Sequence, residues 1–372
     1  MRLCYLADAT SVHAQKWISY FASRGHQVHL ISREEPDNNS LSNVTLHIVK
    51  PVETIRGVSL LMFVRQVRKV LKSITPDITH AHYASTYGFW SALAMFHPSV
   101  LTAWGSDILI TPRISKLSML KVRFALRQAD LITCDAQHLA KKMTELGASE
   151  QKIALVCFGV DTRKFAADKR DPDLRSRLEL HEDALLVISL RRLTEVYDVE
   201  ALVRAAPMVL ARVPEARFVI AGCGDQRTYL ESLAELLGVA HGVRFVGMIS
   251  NDDLPRYLAS ADVYVSTSLS DAGIAASTAE AMACQLPVIV TDVAENRDWV
   301  RDGEGGFVIP PRDPEALADR IIRLLRDESA RRTFGAVNRR IVQERNEYST
   351  QMEKVEHMYR EVIRRHSGLG QR

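Results

Sequence analysis

One stretch of the sequence combines small residues, hydroxyl residues and two acidic side chains. From 266 to 292 it reads STSLSDAGIAASTAEAMACQLPVIVTD, with Asp271 in a serine-rich loop and Glu280 further along. This order is typical of a strand end, a loop, a short helix and another strand. Small residues let a ligand approach the backbone, and a helix start offers unpaired N–H groups at the positive end of its dipole. The stretch is therefore suited to a diphosphate.

Two structural interpretations compete with binding here. Ser277 and Glu280 have the Ser-x-x-Glu spacing of a capping box, in which the glutamate only bonds back to the start of its own helix. Asp271 would then be a turn residue, a common role for aspartate beside serines.

A second group of candidates follows the apolar run Leu185–Leu190. Arg191 and Arg192 come directly after it, and the planar guanidinium matches phosphate oxygens in geometry. The structural alternative is that both are exposed charges at the end of a strand, and the residues alone favour neither interpretation.

The elements that must position these residues alternate along the chain. Short β-branched runs predict strands at Leu3–Ala7, Val28–Ser32, Leu46–Val49, Ile78–His82, Val100–Trp104, Leu131–Cys134, Ile153–Val156, Leu185–Leu190, Phe218–Ala221, Arg244–Val246, Val263–Ser266, Val288–Thr291 and Phe307–Ile309. Helix-length amphipathic segments lie between them, which predicts doubly wound parallel sheets. We expect an α/β protein of two Rossmann-like lobes that face each other across a cleft, with ligands at the carboxyl ends of the strands.

Length and composition agree with two ordinary globular domains. The chain has 372 residues, of which 47% are hydrophobic and 25% charged. A polar segment, Asp168–Asp173, interrupts the alternation and is typical of a linker. We therefore expect an N-terminal domain over 1–165, a C-terminal domain over 166–348, and a final helix over 349–372 that packs back toward the first domain.

Charge is uneven between the two predicted domains. Residues 1–165 carry 20 Lys/Arg and 12 Asp/Glu, so the N-terminal domain has a net charge of +8. One of its predicted helices has a basic stripe of Arg65, Arg68, Lys69 and Lys72 opposite an apolar stripe of Leu60, Val64, Val67, Leu71 and Ile74. A core face backed by a solvated face explains this pattern; contact with an anionic membrane is the functional alternative. The sequence has no apolar run of bilayer length and no leader pattern, so we expect a cytoplasmic protein, peripheral at the inner membrane face if that contact forms.

Several segments, in order, resemble the family-4 retaining glycosyltransferases of GT-B fold (glycosyl transferases group 1). Besides 266–292, the resemblance rests on Ala129–Thr133, Phe158–Phe165, Arg217–Asp225 and Val243–Gly247. It implies a metal-independent hexosyltransferase-type enzyme that needs no cofactor. Such an enzyme transfers sugar from a UDP- or GDP-sugar to a glycan or polyprenyl-linked acceptor, in bacterial surface polysaccharide biosynthesis. No nucleic acid is implied as a partner.

The resemblance also assigns residues that would hold the donor. Glu280 matches the acidic residue that binds the nucleotide ribose, and Asp271 stands nearest the one that contacts the transferred sugar, although eight residues separate them where the family has seven. Arg192 matches the arginine that neutralises the diphosphate, while Tyr197 stands where a lysine is expected. The further donor-binding candidates are Ala275, Ala276, Arg191, Gly222 and Met248, with Asp271, Arg192 and Asp107 as the catalytic candidates.

On the acceptor side, the candidates lie in loops that follow predicted strands. Ser11 and His13 belong to the first loop, and Trp104 stands where relatives often have a histidine. Asp107 is then the polar residue nearest to the expected donor sugar. His80 and His82 end a predicted buried strand, and we interpret both as hydrogen-bonded core residues. We expect no metal, because Asp171 and Asp173, which superficially resemble a metal-binding DxD, lie in the predicted linker.

Three other functions are compatible with parts of the sequence. Gly222-Cys223-Gly224 after a strand begins a dinucleotide-binding fingerprint, but its third glycine would fall at Arg227, which argues against an oxidoreductase. A nucleotide-sugar epimerase of the same fold and a catalytically silent sugar-binding relative remain open.

Overall fold

The computed structural model describes residues 1–36, 41–50, 56–271 and 273–369, and the chain divides into two compact units. Unit 1 comprises Met1–Phe158 together with the C-terminal stretch from Thr350, and unit 2 comprises Gly159–Ser349. The first boundary falls at the Phe158–Gly159 bond, seven residues before the end of the predicted N-terminal domain.

Unit 1 contains one sheet and helices between its strands. The strands are β1 (Arg2–Leu6), β2 (Gln27–Ser32), β3 (Val44–Ile48), β4 (Ile78–His82), β5 (Ser99–Thr102), β6 (Leu131–Cys134) and β7 (Ile153–Leu155). The helices are α1 (Val12–Ser23), α2 (Arg56–Ile74), α3 (Phe89–Ala94), α4 (Ser106–Leu109), α5 (Thr111–Ile114), α6 (Lys116–Gln128) and α7 (Gln137–Glu145), with a π-turn at Ala84–Gly88 and a 3₁₀ turn at Glu150–Lys152.

Unit 2 repeats this alternation with a smaller sheet. Its strands are β8 (Leu185–Leu190), β9 (Ala216–Ala221), β10 (Val243–Gly247), β11 (Val263–Ser266), β12 (Val288–Thr291) and β13 (Gly306–Ile309). Its helices are α8 (Leu174–Arg177), α9 (Val199–Leu210), α10 (Arg227–Leu236), α11 (Leu254–Ser260), α12 (Ala276–Ala283), α13 (Asn296–Trp299), α14 (Pro314–Arg326) and α15 (Glu328–Arg345), with 3₁₀ turns at Ala167–Lys169, Glu195–Tyr197 and Ala240–Gly242. The last helix, α16 (Tyr348–Leu369), packs from Thr350 onward with unit 1.

Both sheets are parallel and reverse their strand order at one point. In unit 1 the order is β3-β2-β1-β4-β5-β6-β7, and in unit 2 it is β10-β9-β8-β11-β12-β13. The chain therefore winds outward in opposite directions from β1/β4 and from β8/β11. Open α/β sheets bind ligands at the carboxyl ends of their strands, at such a switch point. Each unit also has its own apolar core.

Helix starts follow from local capping. Ser11, Ser115, Asp313 and Asp327 precede α1, α6, α14 and α15, and each accepts a backbone N–H from the first turn of its helix. No such side-chain bond precedes α12, whose N-cap residue is Ala275. The amides at the start of α12 therefore lack side-chain capping.

The predicted fold class is confirmed, with strand ends that differ from prediction by two residues at most. The predicted linker forms the turn Ala167–Lys169 and leads into α8, where Asp171 accepts the Asp173 amide at 3.0 Å and pairs with Arg177. Asp171 thus serves the local fold. Among the helices of the described residues, none combines the length and apolarity needed to cross a bilayer.

Candidate functional site

The loops that follow β8 and β11 meet at the switch point of unit 2. The Leu269 amide donates to the Val196 carbonyl at 2.8 Å, and the Thr267 hydroxyl donates to the Tyr197 carbonyl at 2.9 Å. These bonds fix the turn Glu195–Tyr197 against the serine-rich loop. Residues that are far apart in sequence are thereby brought to one edge of the sheet.

Arg191, Tyr197 and Asp271 form a compact cluster at this edge. Arg191 Nη2 donates to Asp271 Oδ1 at 2.5 Å, and the guanidinium carbon lies 4.3 Å from the centre of the Tyr197 ring. The Arg191 and Asp271 side chains are only 9% and 10% exposed. Arg191 Nε is buried and has no hydrogen-bond partner in the described part of the chain. A buried charged donor without a protein partner is costly, so Arg191 Nε is a candidate donor to a bound ligand.

Electrostatics at Asp271 follow from this burial. Burial raises the pKa of the Asp271 carboxyl, and the adjacent Arg191 guanidinium opposes the rise.

The sequence left open whether Arg191 and Arg192 are only exposed charges at the end of a strand. The ion pair with Asp271 shows that Arg191 is not. Arg192, one residue later, is exposed. The two arginines therefore differ: Arg191 is held by its neighbours, whereas Arg192 reaches solvent.

Two glycines after β9 allow the backbone of this loop to pack closely. A Cβ atom on Gly222 would lie 2.2 Å from the Arg191 carbonyl oxygen, and one on Gly224 would lie 2.0 Å from the Leu193 carbonyl oxygen. Gly222 also has φ of +141°, which side-chain-bearing residues rarely adopt. These glycines hold the arginine loop in place, which explains them without a dinucleotide. Gly222 N donates to Gly247 O at 2.8 Å, and Met248, the next residue, is 72% exposed.

The start of α12 lies beside the same cluster. Tyr264 of β11 bonds Ser277 at 2.8 Å, accepts from Thr278 at 3.4 Å, and is electrostatically coupled to both Arg191 and Asp271. Because the helix begins at Ala276 with Ala275 as its N-cap, Ser277 lies inside the first turn. The Ser277–Glu280 capping box is therefore not formed. Glu280 is half-buried on α12, one turn beyond the helix start.

Unit 1 has a cavity at its own switch point. The cavity measures about 580 Å³. Most of its lining residues follow β1, β2, β4 or β5 or lie near these strands, and one comes from the segment after β7. The lining consists of Asp8, Ser11, His13, Ala14, Arg33, Glu34, His82, Tyr83, Thr86, Tyr87, Trp90, Trp104 and Phe158. The structure thus brings the three acceptor candidates Ser11, His13 and Trp104 together. The Ser11 hydroxyl also caps α1, where it accepts the Ala14 amide at 3.4 Å.

One wall of this cavity is aromatic. Trp104 and Phe158 stack with their ring centres 4.6 Å apart, and the His13 ring lies 5.2 Å from Trp104. On another part of the lining, the Arg33 guanidinium lies 5.7 Å from the centre of the Trp90 ring. Flat apolar faces beside charged groups are suited to a polar ring compound such as a sugar.

The two histidines of β4 have different surroundings, and the interpretation of both as hydrogen-bonded core residues is wrong for His82. His80 bonds Thr102 at 2.7 Å and also contacts the Tyr359 hydroxyl of α16. His82 lines the cavity, is 3% exposed, and makes no hydrogen bond through either ring nitrogen to any described residue. Burial lowers the pKa of His82 to about 3, with a further contribution from His13. His82 is therefore a neutral ring that can donate or accept toward the cavity.

Asp107 does not lie in the cavity. Its side chain is fully buried, and its carboxylate accepts the Ala84 amide at 2.7 Å and the Trp104 amide at 3.0 Å. Burial raises the pKa of Asp107 to about 6, against the effect of these amides. The carboxylate holds the π-turn and the start of α4 together, so the structure gives Asp107 the position of a supporting residue rather than one that touches substrate.

Sequence reasoning missed several members of both sites. His82, Arg33, Trp90 and Phe158 were absent from the acceptor candidates, and the Arg191–Asp271 pair was not foreseen. The available signal was topological, since these residues follow or lie near strand ends that meet at the two switch points. In the described ranges, no cluster of three or more His, Cys, Asp or Glu side chains is placed to hold a metal.

Comparison with known families agrees with this geometry. Residues 171–340 match the model described as glycosyl transferases group 1, and residues 2–136 match the model described as glycosyl transferase 4-like. The two matches fall in unit 2 and unit 1 respectively.

Individual proteins match over much of the chain. The lipopolysaccharide core biosynthesis glycosyltransferase LpsE of Rhizobium meliloti is 31% identical over 63% of this chain and 67% of its own. The N-acetyl-alpha-D-glucosaminyl L-malate synthase of Bacillus anthracis is 26% identical over 92% and 91%. Among solved structures, Anabaena HepE in complex with UDP superposes with a TM-score of 0.82 over 96% of this chain and 99% of its own, at 18% identity.

Proposed function

The chain belongs to the group-1 glycosyltransferases of GT-B fold, and on that premise we propose that it transfers a sugar from a nucleotide-diphosphate sugar held by unit 2 to an acceptor held by unit 1. The observation that carries the proposal is that Arg191 and the uncapped start of α12 lie beside each other at the β8/β11 switch point, bridged by Tyr264, with Arg192 exposed one residue after Arg191. These groups supply positive charge where a donor diphosphate would sit.

Donor binding follows from this arrangement. The diphosphate accepts hydrogen bonds from the first-turn amides of α12 near Ala275 and Ala276, and Arg192 pairs with it from the solvent side. Arg191 Nε, buried without a partner in the described structure, supplies a second donor. Tyr197 stacks on Arg191 and so orients the guanidinium. Glu280, one turn into α12, binds the ribose hydroxyls in this proposal. The donor is a UDP- or GDP-sugar; HepE, of the same fold, is solved with UDP.

The reaction follows from where charge develops. As the bond from the anomeric carbon to the diphosphate breaks, negative charge grows on the leaving oxygen, and the two arginines and the helix start stabilise it. This electrostatic support does the work that a divalent cation does in other transferases, so the enzyme is metal-independent. The acceptor oxygen forms its bond to the anomeric carbon on the face that the diphosphate leaves, and the leaving phosphate takes the acceptor's proton, so the anomeric configuration is retained.

The acceptor binds in the unit 1 cavity. Trp104 and His13 offer flat faces to a sugar ring, and His82 and Asp8 offer polar atoms to its hydroxyls. The acceptor is a glycan or a polyprenyl-linked saccharide, and the product enters a bacterial surface polysaccharide. The similarity to LpsE, a glycosyltransferase of lipopolysaccharide core biosynthesis, supports this assignment. A polyprenyl-linked acceptor lies in a membrane, so the enzyme works in the cytoplasm, at a membrane surface.

Two measurements test the proposal. Isothermal titration with UDP, GDP and NAD should show binding of one nucleoside diphosphate and no heat with NAD. Product analysis with the matching nucleotide-sugar should then show transfer to an acceptor with the anomeric configuration kept. Epimerised donor in the absence of acceptor would indicate an epimerase instead, and nucleotide binding without any turnover would indicate a silent relative.

A further inference from the structure

Unit 1 exposes large apolar side chains on one short stretch that follows the cavity-lining Trp104. Between Ile110 and Leu120 four such residues point to solvent, with exposed fractions of 61% for Ile110, 71% for Ile114, 63% for Leu117 and 57% for Leu120. We call these four the α5–α6 patch. Exposed apolar side chains that occur singly need no explanation, but four within eleven residues form a contiguous feature.

The segment that carries the patch and the segment of α2 have charges of one sign. Residues 108–129 contain five basic side chains, Arg113, Lys116, Lys121, Arg123 and Arg127, and no acidic one. Residues 58–76, which include most of α2, contain four more, Arg65, Arg68, Lys69 and Lys72, again without an acidic residue. Leu61 and Met62 of α2 are also exposed, at 70% and 39%.

These segments belong to one helix layer. The crossovers β3→β4, β4→β5 and β5→β6 run in the same direction across the sheet, so the right-handed rule puts α2, α3 and α6 on the same face. Contacts agree: the Phe63 and Trp90 rings lie 4.6 Å apart between α2 and α3, and the Phe89 and Phe124 rings lie 6.1 Å apart between α3 and α6. Arg68 of α2 donates to the Leu93 carbonyl of α3 at 2.8 Å.

The layer also connects with the cavity. Tyr83, which lines the cavity, bonds the Ser106 side chain at 2.7 Å, and Ser106 begins α4. Thr111 of α5 in turn donates to the Ser106 carbonyl at 3.2 Å. The α5–α6 patch is thus built onto the same segment that forms one wall of the cavity.

We propose that the α5–α6 patch, together with the basic side chains of α6 and of α2 in the same helix layer, docks unit 1 on an anionic lipid bilayer. Apolar side chains that insert at the interface, surrounded by cations that attract acidic headgroups, are the features of peripheral membrane binding. The charge pattern selects this occupant over a second copy of the chain, because two faces with nine cations and no anion over 58–76 and 108–129 would repel each other. Docking there would bring the cavity close to a lipid-linked acceptor, and that consequence rests on the proposed function.

Vesicle sedimentation tests the surface directly. The full-length protein should pellet with vesicles that contain about a third phosphatidylglycerol, and should pellet at least about tenfold less with pure phosphatidylcholine or when salt is raised from about 50 to about 300 mM, by the screening of surface charges. Leu117→Asp should weaken binding to the anionic vesicles at least about tenfold. Leu236→Asp is the matched control, because Leu236 is exposed at 83% on α10 of unit 2 and should bind as the wild type does.

A charge variant and two further measurements separate the outcomes. Lys116→Glu should also reduce vesicle binding, and thermal melting should show that all three variants keep the wild-type Tm within a few degrees. Unchanged binding by Leu117→Asp, or no binding of the wild type to anionic vesicles, would overturn the inference. So would a wild-type dimer in light scattering that Leu117→Asp dissolves, since the patch would then bind a second copy. Nucleotide titration of the same samples keeps the two questions apart: a wild type that binds UDP or GDP but not anionic vesicles refutes the docking surface alone, and a wild type that binds vesicles but no nucleoside diphosphate refutes the proposed function alone.

Discussion

Arg191 and Asp271 depend on each other at the residue scale. The two side chains are both about nine-tenths buried and joined at 2.5 Å, so removal of either leaves an uncompensated charge. If Asp271 acts by holding Arg191 toward the donor, the two substitutions should not be independent. We therefore interpret Asp271 as a positioning residue for Arg191, whereas the family resemblance alone implied contact with the transferred sugar.

A double-mutant cycle tests this interpretation. Arg191→Met and Asp271→Asn should each weaken UDP or GDP affinity, and the double variant should bind about as weakly as the worse single variant, a coupling of about 1 kcal/mol or more. Titration calorimetry on the four proteins gives the coupling. Strictly additive losses would mean that the two side chains meet the nucleotide separately.

Glu280 supplies a sharper test of a single side chain. Because the helix starts at Ala276, Glu280 does not form a capping box with Ser277, and we expect its removal to affect the donor. Glu280→Ala should lower kcat/KM for the donor at least about tenfold, or about 1.4 kcal/mol. Glu235→Ala on the exposed side of α10 is the control and should behave as wild type. Full activity of Glu280→Ala would remove Glu280 from the donor site.

At the scale of elements, the start of α12 should behave as an anion site. Ala276 is exposed in the first turn, where an added carboxylate is favourable to the helix dipole but repels a bound diphosphate. Ala276→Asp should thus keep or slightly raise Tm while it weakens nucleoside diphosphate binding at least about tenfold. Ala276→Ser should leave both the Tm and the affinity for the nucleoside diphosphate unchanged. Equal nucleotide affinity in Ala276→Asp and wild type would show that the diphosphate does not sit on this helix.

The buried His82 of strand β4 should make the free energy of unfolding depend on pH. His82 is neutral in the folded chain because burial lowers its pKa to about 3, whereas in the unfolded chain it titrates near 6.5. Between these values the unfolded state binds more protons, so this contribution is fully present above pH 6.5 and is lost as the pH falls toward 3. His82→Phe removes it and leaves His80 in place. From pH 7 to pH 5 the wild type should lose about 2 kcal/mol of unfolding free energy relative to His82→Phe, by 1.36 kcal/mol per pH unit. Denaturant melts at the two pH values measure this difference, and parallel losses would contradict the neutral buried state of His82.

At the scale of the whole molecule, the sequence pattern predicted the two sheets but not which loop residues meet at the sites. Alternating strands and helices predicted both sheets because a buried parallel strand is marked by its own β-branched run. The residues of the two sites lie in loops, whose partners depend on which strands become neighbours. Arg191 and Asp271 are 80 positions apart and meet only because β8 and β11 are adjacent. His80 and His82 end the same predicted strand, and only the structure distinguishes them, because His80 bonds Thr102 and Tyr359 whereas His82 lines the cavity.

Asp107 is a residue for which the sequence suggested a role at the substrate that the structure does not support. Its position after a strand and a glycine favoured a role at the substrate, yet its carboxylate is fully buried and bonds two backbone amides. Burial depends on the π-turn Ala84–Gly88, a local irregularity that periodicity does not reveal. Similarly, the Ser277–Glu280 spacing matched a capping box, but the helix began one residue before Ser277.

The proposed function depends most on where the donor diphosphate binds, and a crystal structure with bound UDP or GDP would locate it. We predict phosphate oxygens within hydrogen-bond distance of Arg192 and of the first-turn amides of α12, with the ribose at Glu280. A nucleotide seated elsewhere in unit 2, with Arg192 and the start of α12 in contact with solvent only, would contradict the central claim.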